Sequence, residues 1–475
     1  MKKIFAVLGI LLVLFIVVLL FNTFTFNSKQ VSSTSVETFK MSDSAIEHIQ
    51  QAIRIKTISN ENKDEFEGGP FLDFHKFLAA TYPLADSLLT PEVINKYSLL
   101  YTWQGSDPKA ASMVLMAHID VVPIDEPTKN DWKAAPFSGD ILEDAIWGRG
   151  SMDDKGNLIA IMESVEQLLK EGFQPKRTIY LAFGHDEEVG GSQGAAHLAK
   201  ALKGRGVHAE FVLDEGGFVL NGMIPGIDDP VALIATAEKG FLTLELTVTT
   251  NGGHSSMPTR ENAIGTLATA IHELENQQFD YKPIQASDEL IEFIGPELPF
   301  MSKMVFANKW IFGSLILKGL NNHTTIAPTI INAGVKDNVL PTKAVAKVNF
   351  RILPGETPES VKEHVIKAIN NERVKVEIVV AMHPSEASSS DTKVFKTMMK
   401  TIAQVMPGAV VAPGLTPGGT DTKHYTEVAD YFYRFSPMSF SPGQDGPHSV
   451  NEHLRFEDYR NTLAFYYQFI KNIEK

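Results

Sequence analysis

The sequence predicts an α/β protein with three parts: a mostly parallel sheet flanked by helices, a smaller inserted α+β domain, and an apolar amino-terminal helix. Three observations predict it. Strand-like apolar runs alternate with helical periodicity from Tyr97 to about Ala237, and such alternation builds parallel sheets. The pattern changes at Gly240: Leu242, Leu244, Leu246 and Val248 fall on one face, which suits a half-exposed antiparallel strand. An uncharged apolar run, Ile4 to Phe21, follows Lys2 and Lys3.

That first run spans roughly 27 Å as a helix, close to the thickness of a bilayer core. It ends in Leu19-Leu20-Phe21-Asn22, without the small residues of a cleavage site, which favours an uncleaved anchor over a cleaved signal peptide. The lysines then stay cytoplasmic and the remainder faces outward. Residues 22–40 are polar and Ser/Thr-rich, the composition of a tether. Ile46, Ile49 and Ile53 predict a helix over 42–55. Ser112 to Ala117, Thr178 to Phe183 and Glu210 to Leu213 read as strands. Asn157 to Lys170 reads as an amphipathic helix. The main domain is expected over 41–239 and 355–475, with the insert over 240–354. The insert would hold strands at Phe241–Val248 and Ala344–Ile352 and a helix at Ala263–Glu275, and Glu359–Glu372 would return the chain to the main domain. Pro299 to Leu320 is unusually apolar. Its ordinary reading is buried core; the sharper one is a wall for an acyl chain or a surface leaning on a membrane.

Composition narrows function. The 475 residues carry a net charge of −14 and no sizeable basic cluster, which argues against a nucleic-acid partner. There is no cysteine, so disulfides, thiolate ligands and a cysteine nucleophile are excluded. A metal would sit on His and carboxylate ligands, which suit Zn²⁺.

Five stretches offer such ligands. His118 and Asp120 follow the first strand on the same side of an extended chain, where a carboxylate can orient a metal-bound imidazole; the ordinary alternative is a polar turn. Asp153 and Asp154 precede a helix start, where aspartate commonly caps. Glu187 and Glu188 are adjacent, so one can meet a metal while the other faces substrate; Gly190-Gly191 permits a tight turn after them. Asp214 ends the third strand, with Glu215 as a competitor for the same role. His448 lies in a Gly/Pro-rich loop, and His254 at a turn within the insert, where ligand, substrate contact and cap all stay open. In an open parallel sheet, ligands gather at the carboxyl ends of strands. Three acidic or imidazole-bearing ends in order, with a distant histidine, point to a metal-dependent hydrolase.

From Met41 onward the sequence resembles the co-catalytic di-zinc aminoacylases and exopeptidases, nearest the branch of carboxypeptidase S and the N-fatty-acyl-amino-acid synthase/hydrolases. Residues 148–156 (GRGSMDDKG) and 349–355 (NFRILPG) carry the resemblance most strongly. It implies a ferredoxin-like inserted domain acting as lid or dimerisation module, and two Zn²⁺ per chain, with Co²⁺ or Mn²⁺ as substitutes. His118 and Asp214 would bind one ion, Glu188 and His448 the other, and Asp153 both. Asp120 would orient His118, and Glu187 would be the general base. His254 would stabilise the oxyanion, in some relatives from a neighbouring subunit. Arg351, Gly419 and Thr420 would meet the substrate's carboxylate.

The implied activity is amide hydrolysis on small substrates with a free carboxylate, of carboxypeptidase type. The alternative is an N-acyl, including fatty-acyl, amino acid amidohydrolase. The partners are then a small peptide or N-acyl amino acid and, through the anchor, a membrane; the chain would be a monomer or homodimer. A non-catalytic peptide-binding protein is disfavoured because every expected ligand and Glu187 are present. A nucleotide hydrolase lacks its phosphate-cradling loop and a serine hydrolase its G-x-S-x-G elbow.

Overall fold

The computed structural model describes residues 2–36, 39–258 and 260–474. Its main sheet is mixed rather than mostly parallel. In spatial order its strands are Glu92–Ile94, Ser98–Trp103, Ile179–Gly184, Ser112–His118, Ala209–Asp214, Ala429–Arg434, Val231–Glu238, Val219–Leu220 and Ser439–Phe440, and Val410–Thr416 also pairs with Val231–Glu238. The central strands Ile179–Gly184, Ser112–His118, Ala209–Asp214 and Ala429–Arg434 run parallel. Antiparallel pairs enter at 98–103 with 179–184 and at 219–220 with 231–238.

Period two distributes the strand residues between two cores. Met113, Leu115, Leu181, Phe183, Phe211 and Leu213 face the larger core, while Val114, Met116, Ala182 and Val212 face the smaller one. The helices Lys155–Lys170, Lys393–Val405 and Phe456–Ile473 cover the first face, and Ala195–Gly204 covers the second. The opening helix forms as Asp43–Arg54, with Ser42 Oγ accepting from the Ala45 N–H at 3.1 Å, an N-cap.

A second, four-stranded antiparallel sheet has the order Thr325–Ala333, Lys343–Ile352, Gly240–Thr249, Val374–Met382. With the helices Ala263–Asn276 and Pro358–Ile369 it runs β-α-β-β-α-β and closes its own core, the ferredoxin-like arrangement. This moves the expected boundary. The helix at 358–369 does not return to the main domain, because Val361, Val365, Ala368 and Ile369 belong to the second core. The strand Val374–Met382 then supplies the fourth strand, so this unit extends to about residue 382.

Two further expectations change. The segment 299–320 forms the helices Phe300–Ala307 and Lys309–Gly319, where only Asn308 and Ile316 are buried; it is not core. The tether is partly docked: Gln30 donates to Val411 O at 3.0 Å and accepts from Val411 N at 2.8 Å. Residues 37 and 38 of that stretch lie outside the described residues. The apolar run forms the helix Lys2–Thr25, exposed over most of its length but buried at Thr23, and long enough to cross a membrane.

Candidate metal centre

Three parallel neighbours bring their carboxyl ends to one edge. His118 closes its strand, Asp214 closes the next, and Gly184 leads into the short turn Glu187–Val189. The turn is shaped by Asp186, whose oxygens accept the N–H groups of Gln193 and Gly194 at 2.8 and 2.6 Å. Asp120 fastens it from the other side. Fully buried, it accepts from Ser59 Oγ at 2.6 Å and from the N–H groups of Glu187 and Glu188 at 3.1 and 3.2 Å. Its Oδ1 also lies 3.3 Å from His118 Nδ1, which is 3.0 Å from the Asp120 carbonyl. Either oxygen holds a proton on Nδ1 and leaves Nε2 as the ligand atom.

Asp153 joins the two halves of the site. Its Oδ1 is 2.9 Å from His118 Nε2 and its Oδ2 is 3.1 Å from His448 Nε2. His448 Nε2 is also 3.0 Å from Glu188 Oε2, and His118 Nε2 is 3.4 Å from Glu215 Oε1. Donor atoms of His118, Asp153 and Glu188 all lie within 4.8 Å of one another, as do those of His118, Asp154 and Glu215. Tetrahedral zinc with bonds of about 2.0–2.1 Å separates its ligands by about 3.3 Å, and the contacts above match that spacing.

Glu215, not Asp214, is the acid brought to His118. Asp214 Oδ2 is buried without a hydrogen-bond partner. The two are sequence neighbours at a strand end followed by Gly216 at φ +109°, so their side chains diverge. Asp154 is engaged elsewhere, accepting from the His118 N–H at 3.2 Å and from Asn157 Nδ2 at 2.5 Å.

The electrostatics call for cations. Among the described residues no Lys or Arg ion-pairs with Asp153, Glu187, Glu188, Asp214, Glu215 or Asp421. Burial pushes Glu187 well up, with Asp421 adding to it, and lifts Glu215 likewise, with Asp153 adding. Burial with Asp153 takes Glu188 to about 7, and burial takes Asp214 to about 6. Hydrogen bonds to Asp153 and Glu188 raise His448 to about 10. Burial works against the Asp153 carboxylate, but hydrogen bonds from His118 and His448 outweigh it and lower its pKa. Buried carboxylates this dense are stable as anions only beside positive charge. Two divalent ions fit the donor set.

The other expected residues lie apart or are only partly free. Arg351, half-buried in the second sheet, stacks over the Phe241 ring at 5.0 Å. Thr420 is buried with its N–H on Glu238 Oε1 at 2.7 Å, and Gly419 packs against Met382. His254 is exposed, and the described hydrogen bonds of its imidazole stay with Ser256.

A family model described as Peptidase family M20/M25/M40 matches residues 114–472. The chain belongs to this family. A probable carboxypeptidase S-like 2 of Dictyostelium discoideum is 40% identical over 98% of this chain and 93% of its own length. An N-fatty-acyl-amino acid synthase/hydrolase of Mus musculus is 36% identical over 90% of this chain and 87% of its own. An M20 family metallo-carboxypeptidase from Sulfolobus solfataricus shares the fold at TM-score 0.68 and 21% identity, covering 91% of this chain and all of that one. As an M20 protein the chain is a hydrolase of peptide or linear amide bonds, and zinc pairs are the cofactor its donor set accommodates.

Sequence reasoning missed the roles of two residues of this M20 site. Glu452 and Arg149 form a buried ion pair, 2.6 Å from Oε2 to Nη1, and Glu452 Oε1 accepts from the N–H groups of Met152 and Asp153 at 2.9 and 3.3 Å. Asp421 is buried over Gly191, where a Cβ would collide with its carboxylate. The glycine pair 190–191 was a signal for close approach; its partner, Asp421, belongs to the turn expected to face substrate, and its packing on Gly191 carried no local mark.

Proposed function

We propose that this chain is a membrane-anchored two-zinc exopeptidase that hydrolyses the amide bond of small peptides with a free carboxyl terminus. The observation that carries this reading is Asp153, one carboxylate shared by the imidazoles of His118 and His448. His118 and Glu215 would hold one ion and Glu188 and His448 the other, with Asp153 serving both. When bound, such a pair lowers the pKa of a water molecule and polarises the scissile carbonyl. Glu187 takes the water proton and returns it to the leaving nitrogen; its burial and carboxylate neighbours favour the protonated form it needs for the second step. Asp120 keeps His118 in the right tautomer. Arg351 clasps the substrate carboxylate, with the backbone at Gly419 and Thr420 beside it. His254 donates to the oxyanion when the second domain closes or a second copy supplies it; monomer and homodimer both remain compatible with its exposed position.

The helix Lys2–Thr25 anchors the chain, with the catalytic body outside the cytoplasm. A second reading, hydrolysis of N-acyl amino acids with fatty chains, is favoured by the exposed apolar helices at 300–319 and by the activity for which the mouse relative is named. One experiment tests both. Zinc is counted on the purified chain, and Gly-Leu is assayed beside N-acetyl- and N-oleoyl-phenylalanine, with Glu187→Gln as control. About two zinc ions and turnover lost in the variant support the mechanism, and the preferred substrate decides between the readings. No zinc and no turnover would overturn both.

A further inference from the structure

The helices Phe300–Ala307 and Lys309–Gly319 take no part in the proposed peptide hydrolysis, yet their outward surface is apolar. Met301, Trp310 and Leu315 are 66%, 61% and 64% exposed, with Phe300 and Ile311 beside them. On the second helix, Trp310, Ile311, Ser314, Leu315 and Lys318 share the outer face, a face that in water is ordinarily polar.

A second observation identifies what covers this surface. The helix Lys2–Thr25 packs directly against the pair. Asn22 Nδ2 donates to Asn308 Oδ1 at 2.9 Å, and Asn308 Nδ2 donates to Leu19 O at 3.2 Å and Met304 O at 2.8 Å. Trp310 Nε1 donates to Asn308 Oδ1 at 3.3 Å, so the buried amide is fully used. The rings of Phe24 and Phe300 lie 5.9 Å apart, and those of Phe15 and Trp310 6.2 Å apart.

The last contact sets a depth. Phe15 precedes the end of the apolar run at Phe21 by six residues, about 9 Å of helix. Where the run spans a hydrocarbon layer of about 30 Å, a group level with Phe15 lies well inside the outer leaflet. The geometry passes rigidly to the body, because Phe26 packs on Gly295, Lys29 pairs with Glu292 at 2.5 Å, and Gln30 bonds both ways with Val411.

We infer that the helix pair 300–319 is seated in the outer leaflet as a shallow monotopic element, with a lipid bilayer as its partner. This rests on the anchor reading above. Burial of Phe300, Met301, Trp310, Ile311 and Leu315 in acyl chains removes the apolar surface from water. The main body is thereby held at a fixed height and tilt, so the chain lies on the membrane as well as spanning it.

The chain has no cysteine, so one introduced thiol reports one place. Full-length protein carrying Leu315→Cys, Val13→Cys or Lys367→Cys is nitroxide-labelled and reconstituted into phosphatidylcholine vesicles. Collision with oxygen is compared with collision with a water-soluble nickel chelate. The expected result is oxygen-dominated relaxation at 315 as at 13, and nickel-dominated relaxation at 367. Nickel-dominated relaxation at 315 with oxygen at 13 would overturn the inference and leave the anchor intact. Nickel-dominated relaxation at 13 would overturn the anchor and the inference together. Dipolar broadening at 315 would show a second copy on this face, which also overturns it. Brominated lipid gives an independent check without a thiol: the fluorescence it quenches in the wild type should be missing in Trp310→Phe.

Discussion

Arg149 and Glu452 form a buried ion pair directly behind the turn that presents Asp153, with Nη1 2.6 Å from Oε2. Glu452 spends its second oxygen on the N–H groups of Met152 and Asp153, so the pair fixes the backbone from which the bridging carboxylate projects. Removing one partner leaves the other charge buried and uncompensated, at a cost of about 3–5 kcal/mol. Arg149→Ala should therefore lower the denaturant midpoint by that equivalent and reduce bound zinc. An unchanged midpoint would show that the pair does not hold this turn.

Glu215 and Asp214 make opposite predictions for metal content. Glu215 Oε1 lies 3.4 Å from His118 Nε2, whereas Asp214 Oδ2 has no partner. Glu215→Gln should drop zinc from about two ions to about one per chain, while Asp214→Asn should keep both. Plasma emission spectrometry on the two variants checks this, and the reverse pattern would return the ligand role to Asp214.

Glu187 is in the site without a hydrogen bond to either imidazole among the described contacts. As general base and acid it should contribute about 10²–10⁴-fold to kcat and nothing to metal binding. Glu187→Gln should keep its zinc and a nearly unchanged KM while losing that factor in kcat. Loss of zinc in step with activity would make it a ligand instead.

The pH dependence of the metal-free chain has a definite sign. His448 is raised from 6.5 to about 10 by Asp153 and Glu188, and Glu188 from 4.5 to about 7 by burial and Asp153. Both bind protons more tightly folded than unfolded. Their contributions are fully present below the unfolded values and are lost as pH rises through about 7 for Glu188 and about 10 for His448. The stability difference between wild type and His448→Ala should shrink from pH 6.5 to pH 10 in the presence of chelator. Zinc added near pH 7.5 should release protons, because a ligating imidazole must be neutral. A pH-indicator titration with no proton release would contradict the shift.

Much of the site could be read along the chain because its parts sit at strand ends. The runs before His118, Glu187 and Asp214 are short and apolar, and parallel strands carry such ends to one edge. What escaped was decided by partners distant in sequence. The alternation in Val374–Met382 marks a strand, yet pairing with Gly240–Thr249 sets its domain. Glu452 meets Arg149 across 303 residues, and neither carries a local mark of that contact. Both Glu215 and Asp214 are candidates in the sequence; that Glu215 is the one beside His118 turns on backbone direction around Gly216, which composition does not encode. The apolar segment 299–320 resembles core because hydrophobicity alone cannot separate burial in protein from burial in lipid.

Arg351 offers a test of how substrate is recognised. Burial lowers its pKa somewhat, but it stays a cation, half-buried in the second sheet and stacked over Phe241 at 5.0 Å. A planar guanidinium held this way can form two parallel bonds to a carboxylate, and a lysine ammonium cannot. The wild type should prefer a dipeptide with a free carboxylate over its carboxamide. Arg351→Met should raise KM for the free acid while leaving the carboxamide almost untouched, so the preference collapses. Arg351→Lys should recover only part of it. Equal losses on acid and amide would instead give Arg351 a structural task, holding the strand Lys343–Ile352 against Phe241, and would leave the carboxylate to the backbone at Gly419.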